Sequence, residues 1–525
     1  VIRHVAGRGA HPQLRWGRFP DYRDEVERAY QSVDFQPLWV RDGRPTPQAM
    51  QVIDSLARAD DRGLSPADYD AARLRTEAAA LASAPSPGAR AIGLFDSALT
   101  VSTMRYISDS YIGRIDPRRV NFSFDSDHRE LDLAKLIPEL ARDEAPQRRL
   151  AEFEPPLPIY GRLKQALAHL RTLARRTDMT PVPSMPVLHP GESDDAVPVL
   201  RHFLTVLGDL PPEAAPPPDP HLYDQTLVAA VKHFQQRHGL DPDGVIGRNT
   251  LRELQVPLAA RVRQIELAME RLRWLPYRPA SRFILVNIPE FRLRAFDEGR
   301  PGGPLAMKVV VGSAVGKRET PVLYADMRYV VFRPRWNVPY SITRKEMLPH
   351  LRRDPGYLDE QDLEIVDHSG GTVREPPVGD ILTRLSSGAL RLRQRSGPHN
   401  ALGLVKFLFP NPAHVYLHDT PAKTLFRHTR RDFSHGCIRV EDPVALAEFV
   451  LRGQDHWSRE RILHAMDGPR TQWVTLRSPF PVYLFYTTVV VERDGELFFF
   501  DDIYGHDARL ARLLAQGYPY SEAAR

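Results

Sequence analysis

The sequence predicts a multidomain α+β chain: a mainly helical N-terminal scaffold, a small three-helix module, and a mainly β C-terminal domain. Three observations predict it. The chain has 525 residues, enough for about three or four domains at roughly 150 residues each. Apolar residues recur at helical spacing up to Pro276, and short β-branched runs follow it. Proline, at 48 residues, is nearly twice its usual share of about 5% and clusters in two stretches mid-chain.

Composition removes several classes of function. A chain that is 42% hydrophobic and 26% charged is not disordered. The net charge of +5 comes with no Lys/Arg block beyond Arg427-His-Thr-Arg-Arg431, so no nucleic-acid partner is expected. The longest apolar-leaning run, Phe480 to Val491, falls short of the ~18 residues of a membrane span. No charged-then-apolar leader opens the chain at Val1, which reads as a mature or trimmed form and leaves export undecided. Cys437 stands alone, which excludes an internal disulfide framework and a multi-cysteine zinc site.

The elements follow in order. Residues 1–180 read as a helical scaffold domain. Ser65-Pro66-Ala67-Asp68 has a helix-start pattern, and Ile92 to Ser110 carries an apolar stripe of Leu94, Leu99, Met104 and Ile107. Gly113 to Pro117 breaks that stripe, and Arg162 to Arg176 repeats it with Leu163, Leu167, Leu170 and Leu173. Pro181, Pro183, Pro186 and Pro190 favour an extended linker. The module at 186–256 has three helical patterns, around Leu200–Leu207, Leu227–Phe234 and Thr250–Leu254. A proline-rich insertion at 211–220 and turns at Gly239–Gly247 separate them, the last helix being capped near Asn249. Residues 257–280 read as a linker helix. From 281 to 525 strand patterns dominate: Phe283–Ile288, Leu293–Phe296, Met307–Val311 and Arg328–Phe332, punctuated by Gly302-Gly303 and Gly312. Val482–Val491 and Glu496–Phe500 flank Arg493-Asp494-Gly495, a hairpin signal.

Two stretches carry chemistry. Ser434-His-Gly-Cys-Ile-Arg439 places glycine before the lone cysteine, where close backbone approach is possible, and a cation two residues after it. A positive neighbour favours the nucleophilic thiolate. Backbone N–H groups beside Cys437 could face a developing oxyanion. Upstream, Val415 to Leu417 reads as a short buried strand with His418 at its end, a placement that suits a general base. A thiol and a histidine base together suit nucleophilic acyl transfer.

The pair Tyr416-Leu-His-Asp-Thr-Pro421 and Ser434-His-Gly-Cys-Ile-Arg439 resembles the active-site pattern of the L,D-transpeptidases of bacterial cell walls. Trp336-Asn-Val-Pro339, Asp354-Pro-Gly-Tyr-Leu358, Gly397–Gly403 and Lys406-Phe407 agree with it. Tyr223-Asp224, Phe234-Gln235, Asp243-Gly244 and Gly247 resemble the peptidoglycan-binding module. The resemblance is to the long periplasmic branch, with scaffold, wall-binding module and catalytic domain. It implies Cys437 as nucleophile and His418 as base. Gly436, with the Cys437 N–H, would form the oxyanion site; Ser434 and His435 would stabilise the loop. Arg439 would steady the loop or hold a substrate carboxylate. Tyr416, on the His418 face of a strand, is a candidate substrate contact, as are Asp419 and Trp336. Asp419 stands where much of the family has glycine, which leaves a backbone carbonyl as a candidate to orient the imidazole. Residues from about 340 to 407 would form a helical lid, with hinge-like Ser369-Gly-Gly371 and Ser386-Ser-Gly388.

The resemblance implies 3→3 cross-linking of peptidoglycan through a thioester, release of D-alanine, acylation by carbapenems, a periplasmic location, and no metal or cofactor. Hydrolysis at the same site, as an L,D-carboxypeptidase, shares the acyl-enzyme. A non-catalytic peptidoglycan-binding protein is a further alternative. A zinc site on His414, His418 and His435 is disfavoured, because residues 415–417 favour strand and put i and i+4 about 13 Å apart.

Overall fold

The computed structural model describes residues 1–124, 131–215, 217–275, 280–298, 303–454 and 456–518. Pro276, Gly302 and Pro216 of the proline-rich insertion lie outside the described residues. The chain separates into two units: Val1–Arg278 together with Thr487–Arg525, and Pro279–Tyr486. The segment expected as one C-terminal domain is thus divided at Thr487. Among the described residues no helix is long and apolar enough to cross a membrane.

The first unit is mainly helical. Its axis is the helix Ala89–Tyr111, which from Phe95 to Ser110 is buried on all sides rather than along the one stripe expected from sequence. Remote segments make that possible by pairing its polar side chains. Asp96 accepts from the Tyr30 hydroxyl at 2.7 Å and from the Trp39 N–H at 2.7 Å, and the Trp39 indole donates to Thr100 at 2.9 Å. Burial pushes the Asp96 carboxyl up to about 6. Ser65-Pro66 opens only a short 3₁₀ turn, Pro66–Tyr69, and the following helix begins at Ala71 after Asp70 at φ 53°. Helix Pro158–Ala174 buries Leu163, Leu167, Leu170 and Leu173 and packs on Leu258–Leu272.

The wall-binding-like module has helices Val197–Leu207, Gln225–Arg237 and Arg248–Leu254 around a shared apolar cluster. The buried Tyr223 hydroxyl donates to the Gly244 carbonyl at 2.6 Å. Asp224 caps the second helix by accepting from Leu227 N–H at 3.0 Å and pairs with Arg201 at 2.6 Å. Asp224→Ala is expected to cost about 1 kcal/mol, read as roughly fivefold faster amide exchange over 225–237. Strands Val489–Val491 and Leu497–Phe499 form the expected hairpin. Its first strand does not continue from 482, because Thr488 turns its hydroxyl onto Asp507 at 2.5 Å.

The second unit is built on a closed sheet. Its strands are β1 (Arg282–Asn287), β2 (Arg292–Asp297), β3 (Leu305–Gly312), β4 (Val322–Phe332), β5 (Trp336–Asn337), β6 (Leu363–Val366), β7 (Thr372–Val373), β8 (Arg391–Gln394), β9 (Val405–Leu408), β10 (Leu417–His418), β11 (Asp432–Ser434), β12 (Ile438–Val440) and β13 (Gln472–Phe485). Neighbours run β9-β10-β12-β3-β2-β1-β13-β4, and β4 pairs β9 to close the ring. Most pairs are antiparallel; β10–β12, β1–β13 and β3–β11 are parallel. Val405, Phe407, Leu417, Ile438 and Val440 are buried on the inner face. Alternation sends their neighbours to the outer face.

Between β4 and β9 the chain makes the insertion expected as a helical lid. It contains helical segments at 340–353, with a π-helical turn at Thr343–Met347, and at Asp380–Ser387. It also contains an antiparallel sheet, β7-β6-β8-β5, that the sequence does not suggest, and an apolar cluster including Leu348, Leu363, Leu385 and Leu392. Ser369-Gly-Gly371 forms the turn between β6 and β7, with the Asp367 carboxylate accepting from Ser369 and Gly371 N–H groups.

Candidate active site

Strand register assembles the site. β10 and β12 run parallel with Leu417 opposite Ile438 and His418 opposite Arg439. The Ile438 N–H donates to the Tyr416 carbonyl at 3.0 Å. Tyr416, His418, Cys437 and Arg439 therefore share the outer face. β9 brings Lys406 opposite His418 from the other side. Its ammonium lies 3.6 Å from the centre of the Tyr416 ring.

The strand expected at Val415–Leu417 begins instead at Leu417. Asn411 satisfies the preceding backbone: its amide donates to the Val415 carbonyl at 2.8 Å, and its side-chain oxygen accepts from Val415 N–H at 3.3 Å. This turn leaves Tyr416 at the strand's edge. Tyr416, through its backbone and its hydroxyl, favours the ionised form of the Cys437 sulfur.

His418 is buried, with Nδ1 2.5 Å from the Asp419 carbonyl oxygen. A carbonyl only accepts, so Nδ1 carries the proton and Nε2 keeps its lone pair. Burial, with Arg439 and then Lys406 adding positive charge, pushes the imidazole down to about 3. The half-buried Cys437 thiol is pushed up by burial, against the Tyr416 hydrogen bonds and the Lys406 and Arg439 charges. Both directions favour an uncharged thiol and imidazole over a thiolate–imidazolium pair.

The loop before Cys437 is clamped. Gly436 sits at φ 113°, a conformation that favours glycine. Ser434 Oγ donates to the Cys437 carbonyl at 2.5 Å. The Gly436 N–H, expected to face an oxyanion, instead donates to Ser434 Oγ at 3.1 Å. The Gly436 carbonyl accepts from Thr320 at 2.8 Å, and Thr320 accepts from Gly312 N–H at 2.8 Å. Thr320→Val removes both partners of buried groups, at an expected cost of about 1–3 kcal/mol in urea unfolding of the full chain.

The other predicted residues have structural partners. Asp419 is buried, accepts from Leu404 N–H at 2.8 Å and pairs with Lys423 at 2.8 Å. Gly403, at φ 61°, presses on this carboxylate so closely that a Cβ there would overlap it. His435 Nε2 donates to Glu346 of the insertion's π-helical turn at 2.7 Å, and Arg318 donates to the same oxygen at 2.8 Å. Trp336 packs on the insertion's apolar cluster.

Sequence reasoning missed Thr320 and Glu346, which reach the site only through tertiary structure. Lys406 had a signal, a lysine alternating with Val405 and Phe407 in a strand pattern. Among the described residues no group of three or more His, Cys, Asp or Glu is disposed to hold a metal ion, so His414, His418 and His435 do not assemble into one.

Comparison with known proteins follows the same division. Residues 281–462 match the YkuD family model, described as the L,D-transpeptidase catalytic domain. Residues 24–167 match a model described as a scaffold domain. Residues 193–254 match one provisionally described as a peptidoglycan binding domain. A curated Haemophilus influenzae protein, provisionally named an L,D-transpeptidase, is 35% identical over 247 residues, covering 47% of this chain and 48% of that protein. The chain spans about half the length of that curated relative. An L,D-transpeptidase crystal structure from Xylanimonas cellulosilytica aligns at 16% identity and a TM-score of 0.18, covering 58% of this chain and 99% of that one. The L,D-transpeptidase resemblance read from the motifs is matched region by region.

Proposed function

We propose that this chain is a cysteine-dependent L,D-transpeptidase that forms 3→3 cross-links in peptidoglycan. The observation that carries this reading is the parallel register of β10 on β12, with Tyr416 and His418 beside Cys437 and Arg439 on one face. Cys437 sulfur attacks the carbonyl that links the diamino acid to the terminal D-alanine of a tetrapeptide stem. His418 Nε2 takes the thiol proton and passes it to the departing amine as the carbon–nitrogen bond breaks. A thioester to Cys437 remains. The side-chain amine of a second stem attacks it, gives its proton to His418, and restores the thiol. The Cys437 N–H is the loop amide left to face the oxyanion, since Ser434 holds that of Gly436.

The lid has the role of excluding water, so that an amine and not water resolves the thioester. Glu346 ties it to the catalytic loop through His435. The working compartment in this reading is the periplasm, and carbapenems acylate the same sulfur.

The test incubates the full chain with disaccharide tetrapeptide and separates the products. Cross-linked dimer with released D-alanine is expected. Monomeric tripeptide alone would establish the hydrolytic reading instead, and no turnover would leave a binding protein.

A further inference from the structure

The outer face around His418 holds two cations and, among the described residues, no carboxylate to balance them. Lys406, His418 and Arg439 stand side by side on β9, β10 and β12, fixed by the pairings Lys406–His418 and His418–Arg439. Neighbouring strands lie about 4.8 Å apart, so both long side chains reach the space over the imidazole. Lys406 and Arg439 are half-buried. The carboxylates at the site are taken: Asp419 by Lys423, Glu346 by Arg318 and His435. The neighbouring group that bears on both cations is the Cys437 sulfur, and it does so only when ionised. The Tyr416 ring beneath Lys406 attracts its ammonium without neutralising it. Desolvated charges are ordinarily paired, so this row is built for an anion that arrives from outside.

We propose that Lys406 and Arg439 form a carboxylate-binding site on either side of His418, which holds the free carboxylate of the residue leaving the acyl donor. This rests on the transpeptidase reading above, and it names what that site recognises. Acylation forms a sulfur–carbon bond at Cys437 and breaks the amide carbon–nitrogen bond. The thiol proton goes by way of His418 to the departing nitrogen, and the product is a free amino acid. Its carboxylate is two bonds from that nitrogen. A donor with its carbonyl at Cys437 and its nitrogen over His418 therefore places the carboxylate in the Lys406–His418–Arg439 row. The arriving charge also offsets the two cations that help keep His418 near 3, so the base strengthens when the donor is bound.

The experiment compares two tetrapeptide-stem donors, one ending in a free carboxylate and one in a carboxamide, on the wild-type chain, Lys406→Met and Lys406→Arg. The readouts are kcat/KM for release of the terminal residue and the mass of the Cys437 acyl-enzyme, with circular dichroism checking each fold. Wild type is expected to prefer the carboxylate donor. Lys406→Met is expected to lower that preference at least tenfold, mainly through KM, and Lys406→Arg to retain most of it. As a second measurement, free D-alanine is expected to compete with the donor, and D-alaninamide is not. Acyl-enzyme formation with an unchanged preference in Lys406→Met overturns this site alone. Absence of a Cys437 acyl-enzyme with either donor overturns the transpeptidase reading and this site with it.

Discussion

Cys437→Ala is expected to bring D-alanine release from a tetrapeptide donor down to background, a loss of roughly 10⁴-fold or more. Removing the sulfur leaves the Ser434 clamp and the Thr320 tie in place, because both bind backbone carbonyls of the loop. The fold is therefore expected to survive. Turnover unchanged in Cys437→Ala would contradict nucleophilic catalysis by this thiol. The pH dependence of the native thiol is part of the same expectation. Burial raises the thiol above its ordinary range near 8.5, so the thiolate fraction at pH 7 is lower than for a free cysteine. Iodoacetamide alkylation of the resting chain should be slow at pH 7 and climb through the alkaline range. A rate already flat from pH 5 upward would mean a stable thiolate–imidazolium pair, contrary to this account.

His418→Ala is expected to lower kcat by about 10²- to 10⁴-fold, the usual contribution of a positioned base. Its effect should fall on kcat more than KM, since the imidazole moves a proton and Lys406 and Arg439 hold the carboxylate. The folded imidazole titrates near 3 against an ordinary value of 6.5. Its folded value is depressed, so the stability it contributes is complete above about 6.5 and is lost as pH falls towards 3. His418→Gln is therefore expected to flatten the loss of stability of the β unit over that window. A steeper loss in the variant would contradict the buried neutral imidazole.

The legibility of the molecule divides by the range of the interactions. The motifs at 416–421 and 434–439 are local, so their chemistry is legible in the residues themselves. What brings them together is a parallel pairing of very short strands, and strands of that length carry almost no periodic signal. The same cause hides β6, β7 and β8 in the insertion, while Arg344–Met347 is readable as helical. Ile92–Ser110 is readable as a helix from its apolar spacing. Its burial on all sides depends on Tyr30 and Trp39, far away in sequence. The hairpin over Arg493-Asp494-Gly495 is local and readable, whereas the break before it is made by Asp507. Asp419 looks like a substrate contact in the sequence because it follows His418. Its carboxylate is committed to Leu404 and Lys423, and its carbonyl to the imidazole.

The most direct measurement is a mass spectrum of the intact full chain after incubation with a carbapenem, followed by mapping of the modified peptide. One adduct of the inhibitor's full mass, on the peptide that contains Cys437 and absent from Cys437→Ala, is the result expected of a nucleophilic thiol on this sheet face. An unmodified chain, or an adduct on any other residue, would contradict it.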